Sequence, residues 1–98
     1  MVEFDRKDKR DLDLIVDFLF ETAFEASLTW AEMAAASGLS RTTIENLGHH
    51  KTIFPQWRTI VRLARALGVD QIPLTRQKAI KIHWTPQSFG AYEYVEAA

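Results

Sequence analysis

Ninety-eight residues, 47% of them apolar, allow one small domain with a modest core and exclude a disordered chain. There is no cysteine, so a disulfide framework and a thiolate metal site are excluded; no signal-like leader and no apolar run of membrane length is visible, and the expectation is a cytosolic protein without a membrane partner. The formal net charge of −1 argues mildly against a nucleic-acid binder, but residues 1–37 carry nine acids against four bases while residues 38–68 carry five bases (Arg41, Lys51, Arg58, Arg62, Arg65) against the single acid Glu45, so the positive charge is concentrated in the middle of the chain.

Residues 1–10 are a charged N-terminal segment whose interleaved Asp residues make it a poor basic arm. Asp11 to Ser27 reads as the first helix, because Leu12, Ile15, Val16, Leu19, Phe20 and Ala23 recur at helical spacing with Asp13, Asp17, Glu21 and Glu25 on the other side. That acidic face is expected to point away from any polyanion. From Leu28 to Leu47 the chain reads as two short helices joined by a tight turn. Thr29 and Glu32 have the spacing of a capping box. Gly38 stands just past the first of these helices, where a positive φ is wanted. Ser40 can cap the second, which runs from Arg41 to Leu47.

On that second helix Ile44 and Leu47 point into the core and leave Arg41, Thr42, Thr43, Glu45 and Asn46 outside. A solvated surface helix would usually be richer in Lys and Glu. Arg and Asn can instead pair bidentately with guanine and adenine edges, Thr suits a phosphate or a thymine methyl, and a helix of this width fits the major groove. The following GHHKTIFP reads as a loop punctuated by Gly48 and Pro55. Its adjacent His49 and His50 point different ways and have no third ligand at metal spacing, so no metal site is expected; a phosphate contact through Lys51 is the better reading. Pro55 to Leu67 is a helix with Trp57, Ile60, Val61, Ala64 and Leu67 as its buried stripe and Arg58, Arg62 and Arg65 opposite. Arg58 lies nearest the reading helix and the loop, which makes it the better phosphate candidate of the three.

Asp70 can cap a fifth helix over Gln71 to Lys78, with Pro73 in its first turn. The pattern then changes to alternation: KAIKIHWT and AYEYVE read as two strands joined by a loop around PQSFG, a β-hairpin. The aromatics here, Trp84, Phe89, Tyr92 and Tyr94, either cover an open side of the helical core or form a subunit interface. No phosphate-cradling glycine loop, nucleophile elbow or metal-ligand cluster is present, and neither an enzyme nor a cofactor is expected.

Ala34, Gly38, Ile44 and Leu47 stand at the spacing of a helix-turn-helix motif, and IVRLARALGV has the Leu-Gly-Val ending of the fourth helix of the same family. Over Leu12 to about Leu74 the chain resembles the Cro/C1-type, phage-repressor-like (XRE family) helix-turn-helix proteins. It departs from the family pattern at Trp30, where a glutamine often opens the first motif helix, and at Gly48, His49 and His50, where Glu-x-Gly often follows the second. The resemblance implies a mostly α, five-helix repressor-like domain over 11–78 with a short C-terminal extension over 79–98. It also implies a sequence-specific DNA-binding transcriptional regulator whose helix 41–47 lies in the major groove of double-stranded DNA. Arg41, Thr42 and Asn46 would contact bases, and Ser40, Thr43, Lys51 and Arg58 would contact phosphates. Such regulators commonly bind two-fold-related half-sites as homodimers, and Ile80, Ile82, Trp84, Tyr92 and Tyr94 are the residues expected at the dimer contact. On that expectation, truncation after Lys78 leaves a folded monomer. The alternatives are a protein-interaction module on the same fold, or an antitoxin that binds a toxin and represses its own operon.

Overall fold

The computed structural model describes residues 9–87 and 90–97. Helices α1 (Lys9–Glu25), α2 (Trp30–Ser37), α3 (Arg41–Gly48) and α4 (Trp57–Ala66) precede strands β1 (Gln71–Pro73), β2 (Lys78–His83) and β3 (Ala91–Glu96). The strands form one antiparallel sheet in the order β1-β2-β3. The architecture is therefore a small α+β domain, and it overturns the mostly α, five-helix domain expected from the sequence. Of the charged segment expected over 1–10, Lys9 and Arg10 open α1 and the rest lies outside the described residues, as does Phe89.

The correction falls on Gln71 to Lys78. Instead of a fifth helix, Gln71, Ile72 and Pro73 form β1, and the chain turns through residues 74–77 into β2. Exposure alternates along 71–75, with Ile72 and Leu74 buried and their neighbours outside, which is the period of a strand. Asp70 does not cap a helix; its carbonyl accepts the Ile82 N–H at 2.7 Å and so begins the ladder. The Thr75 hydroxyl accepts the N–H groups of Gln77 at 3.2 Å and Lys78 at 3.0 Å, a side-chain-closed turn that replaces helical bonds. Pro73 lies in a marginal strand, where a missing N–H is tolerated.

The two strands read from the alternating pattern are present as β2 and β3, paired from Lys78↔Glu96 to His83↔Ala91. They are not an appendage. Ile80 and Ile82 are 0% and 1% exposed and belong to the same core as α1 and α4. The Trp57 indole N–H donates to the Gly90 carbonyl, and the Tyr92 ring lies against Trp57 at a centroid distance of 4.8 Å. A domain limit at residue 78 would thus run through the sheet. Leu63, absent from the stripe expected for α4, is buried as well; that helix packs against both α2 and α1.

Helix α1 buries Leu12, Ile15, Val16, Leu19, Phe20 and Ala23, the set its spacing predicts. Among the described residues no helix is long and apolar enough to cross a membrane.

Candidate nucleic-acid interface

The candidate site is built on α2, its turn and α3. The Thr29 hydroxyl accepts the Glu32 N–H at 3.1 Å and the Glu32 carboxylate accepts the Thr29 N–H at 2.9 Å, so both arms of the capping box are made. The bond from the Thr29 backbone, then that from its side chain, holds the Glu32 carboxyl below its ordinary pKa. Its contribution to the cap is therefore present near neutral pH and is lost as pH falls through that lowered value. Gly38 ends α2 with φ 73°, and its N–H closes on the Ala34 carbonyl at 3.0 Å. This left-handed residue aims the chain into α3.

At the start of α3 the Ser40 hydroxyl accepts the Thr43 N–H at 3.1 Å and lies 2.8 Å from the Thr43 hydroxyl. The two hydroxyls expected at phosphates are thus also partners of each other at the helix's amino end. Ile44 and Leu47, 0% and 2% exposed, fix the helix to the core. Arg41 and Thr42 are exposed on the opposite face, with Glu45 and Asn46 half-buried beside them. The Arg41 Nε donates to Glu45 at 3.1 Å, yet the Arg41 side chain remains 68% exposed. An exposed pair of this kind contributes at most about 1 kcal/mol, so it orients the guanidinium without locking it away.

Lys51 is exposed in the loop after α3, and its N–H donates to the Asn46 carbonyl at 2.9 Å. Arg58 is exposed on the first turn of α4. Arg62 and Arg65 belong elsewhere: with Ala36, Ser37 and Ala66 they line an open groove of about 570 Å³ between the carboxyl ends of α2 and α4.

Packing explains both Trp30 and Gly48. Trp30 is half-buried, edge-on to Phe20 at 6.2 Å and to His49 at 4.9 Å, so it belongs to the seam between α1, α2 and α3. A Cβ on Gly48 would sit 3.0 Å from the Phe20 ring and 3.2 Å from the Trp30 ring. The glycine lets the end of α3 approach those rings.

His50 has a role that sequence reasoning missed. Its Nε2 lies 2.8 Å from Asp17 and its Nδ1 3.8 Å from Asp13, at a backbone φ of 55°. The imidazole fastens the loop to the acidic side of α1, which therefore has a structural use besides solvation. The only sequence sign of this was a histidine in a loop beside a helix with Asp at i and i+4.

The residues expected at a dimer contact are divided by the structure. Ile80 and Ile82 are in the chain's own core and cannot meet a partner, Trp84 and Tyr92 are half-buried against that core, and Tyr94 is 43% exposed. Among the described residues no group of three His, Cys, Asp or Glu is placed to hold a metal ion. Comparison with protein-family models, with curated proteins and with solved structures gives no match.

Proposed function

We propose that the chain is a sequence-specific DNA-binding regulator that reads the major groove with α3. The observation that carries the reading is a helix capped at its amino end, anchored on one side by Ile44 and Leu47, with Arg41 and Thr42 exposed on the other and Asn46 half-buried beside them. Arg and Asn are the side chains suited to guanine and adenine edges. Lys51 and Arg58 stand beyond α3 on exposed positions and would hold the flanking phosphates. The bound form is a homodimer on two-fold-related half-sites.

Selection of bound sequences from a random duplex library, followed by gel shift, tests this. Asn46→Ala and Arg41→Ala should each lose discrimination at one position of the selected site, by about 1–3 kcal/mol. If both variants bind every duplex as wild type does, α3 is not the reading element.

A second reading, a protein-interaction module such as an antitoxin, draws on Phe24, Ile53 and Phe54, which are 57%, 64% and 41% exposed. It is favoured if the wild-type chain selects no sequence and its affinity for duplex disappears at moderate salt.

A further inference from the structure

We propose that the carboxyl end of α1 is a docking surface for an arginine-bearing apolar segment of another protein, received by the exposed Phe24 ring between Glu21 and Glu25. The proposal stands on this end of α1 and does not depend on α3 reading DNA.

Four rings run in a row from α1 across α2 to the end of α3. Phe24 lies 6.4 Å from Phe20, Phe20 lies 6.2 Å from Trp30, and Trp30 lies 4.9 Å from His49, centroid to centroid. Phe20 is buried and anchors the row, Trp30 is half-buried, His49 is exposed, and Phe24 is 57% exposed. The turn after α1 brings the rings together. The Leu28 N–H closes on the Ala23 carbonyl at 3.0 Å and Ser27 takes a φ of 59°, which ends α1 and returns Trp30 to the side of Phe20. The fold gains little from a phenyl ring more than half of which faces water. Because Phe20 and the turn already position the outer rings, less side-chain freedom is lost when a partner covers them.

The charges beside the row set the sign of the partner. From Asp11 to Ser37 the chain has six acids and no Lys or Arg. Four of the six are engaged within the chain: Asp11 with Lys78 and Tyr94, Asp13 with Lys9, Asp17 with His50, and Glu32 with the Thr29 N–H. The two that remain, Glu21 and Glu25, stand three residues before Phe24 and one after it. Both are exposed, and among the described residues neither carboxylate has an ion pair or a hydrogen bond. They also stand at the wrong pole of their helix. The last turn of α1 holds no base, and the carbonyls at the carboxyl end of a helix carry a partial negative charge that attracts cations and repels carboxylates.

Duplex DNA is repelled by this pole, and a cation is drawn to it. Arginine suits it better than lysine, because a planar guanidinium lies flat on a ring and gives paired N–H groups to a carboxylate. Residues three apart on a helix are surface neighbours, so one arginine can lie on Phe24 and reach Glu21. An apolar residue beside that arginine would cover the exposed part of Trp30. The surface is also remote from the first described residue: fifteen residues of α1 separate Lys9 from Phe24, a span of about 22 Å.

Selection of a random dodecapeptide library displayed on phage against the full chain tests the proposal, with the affinities of enriched peptides then measured by fluorescence anisotropy. Enriched peptides should carry arginine beside an aromatic or aliphatic residue. They should bind Phe24→Ser about tenfold or more weakly, and the double variant Glu21→Gln/Glu25→Gln about threefold to tenfold more weakly. The double variant keeps every ring, so it carries the test if Phe24→Ser disturbs the helical signal. A library that enriches nothing above the bare support overturns the proposal, as do enriched peptides without arginine, or peptides whose affinity neither variant changes. Two other occupants would overturn it as well. A wild-type chain that self-associates in sedimentation velocity, and becomes monomeric as Phe24→Ser, has a second copy on this surface. Tighter peptide binding by Phe4→Ser would mean that the chain's own amino-terminal residues compete for it. None of these outcomes is altered if the chain fails to select a DNA sequence.

Discussion

Gly48→Ala tests the seam behind α3 through two opposed effects. Gly48 is the last residue of α3, with no left-handed φ to preserve, and on helix propensity alone alanine would stabilise by up to about 1 kcal/mol. Against this, the new methyl would stand 3.0 Å from Phe20 Cε1 and 3.2 Å from Trp30 Cζ2, where carbon atoms at rest lie about 3.5–4.0 Å apart. Phe20 is only 6% exposed and Trp30 is wedged between Phe20 and His49, so neither ring can simply swing into solvent. Overpacking of this kind costs about 1–3 kcal/mol, which exceeds the propensity gain at a terminal helical position. The net expectation is a loss of about 1–2 kcal/mol in urea unfolding with an unchanged m-value. In a Trp30→Leu background one of the two close contacts is gone, and the same substitution should become neutral or stabilising; the double-mutant cycle isolates that coupling. If Gly48→Ala stabilises the wild-type chain, the seam is not as tight as described and the packing account of Trp30 and Gly48 fails.

Gly38→Val should lower stability by about 1–2 kcal/mol although nothing lies within 4 Å of the added Cβ, because φ 73° is strained for a β-branched residue; an unchanged melting temperature would refute the left-handed turn. Truncation after Lys78 removes β2 and β3 and should unfold the chain, as judged by loss of its cooperative thermal transition. The lost burial of Ile80 and Ile82 alone is about 1.5–3 kcal/mol each, against a total of roughly 5–15 kcal/mol for a domain. A folded, helical truncated protein would mean that the sheet is dispensable after all. Glu45→Gln removes the one carboxylate on the proposed reading face and should tighten duplex binding about threefold to tenfold at low salt, fading as salt rises; weaker binding in a gel-shift titration would mean that Glu45 is needed to hold Arg41 in place.

The helical half of this protein is legible in its sequence because local physics decides it. Thr29 with Glu32, Gly38, and Ser40 are signals whose partners lie within a few residues, and the structure makes each of those bonds. The apolar spacing of α1 likewise identifies its buried set without reference to any other element. The outer face of α3 follows in part from the same arithmetic, since burying Ile44 and Leu47 leaves Arg41 and Thr42 exposed, with Asn46 half-buried beside them. Gln71 to Lys78 was ambiguous because Asp70 and Pro73 suit both a helix start and a marginal strand. What decided between them was a partner further along the chain, the Ile82 N–H that takes the Asp70 carbonyl. The tail was ambiguous for a related reason. Alternation fixes which residues of a strand share a face, but not what covers that face, and only the packing of Tyr92 on Trp57 and of Ile80 and Ile82 into the helical core shows that the sheet completes the domain. The tie between His50 and the carboxylates of α1 spans more than thirty residues. No local pattern encodes such a contact, because it exists only once α1 and the loop after α3 have been brought side by side.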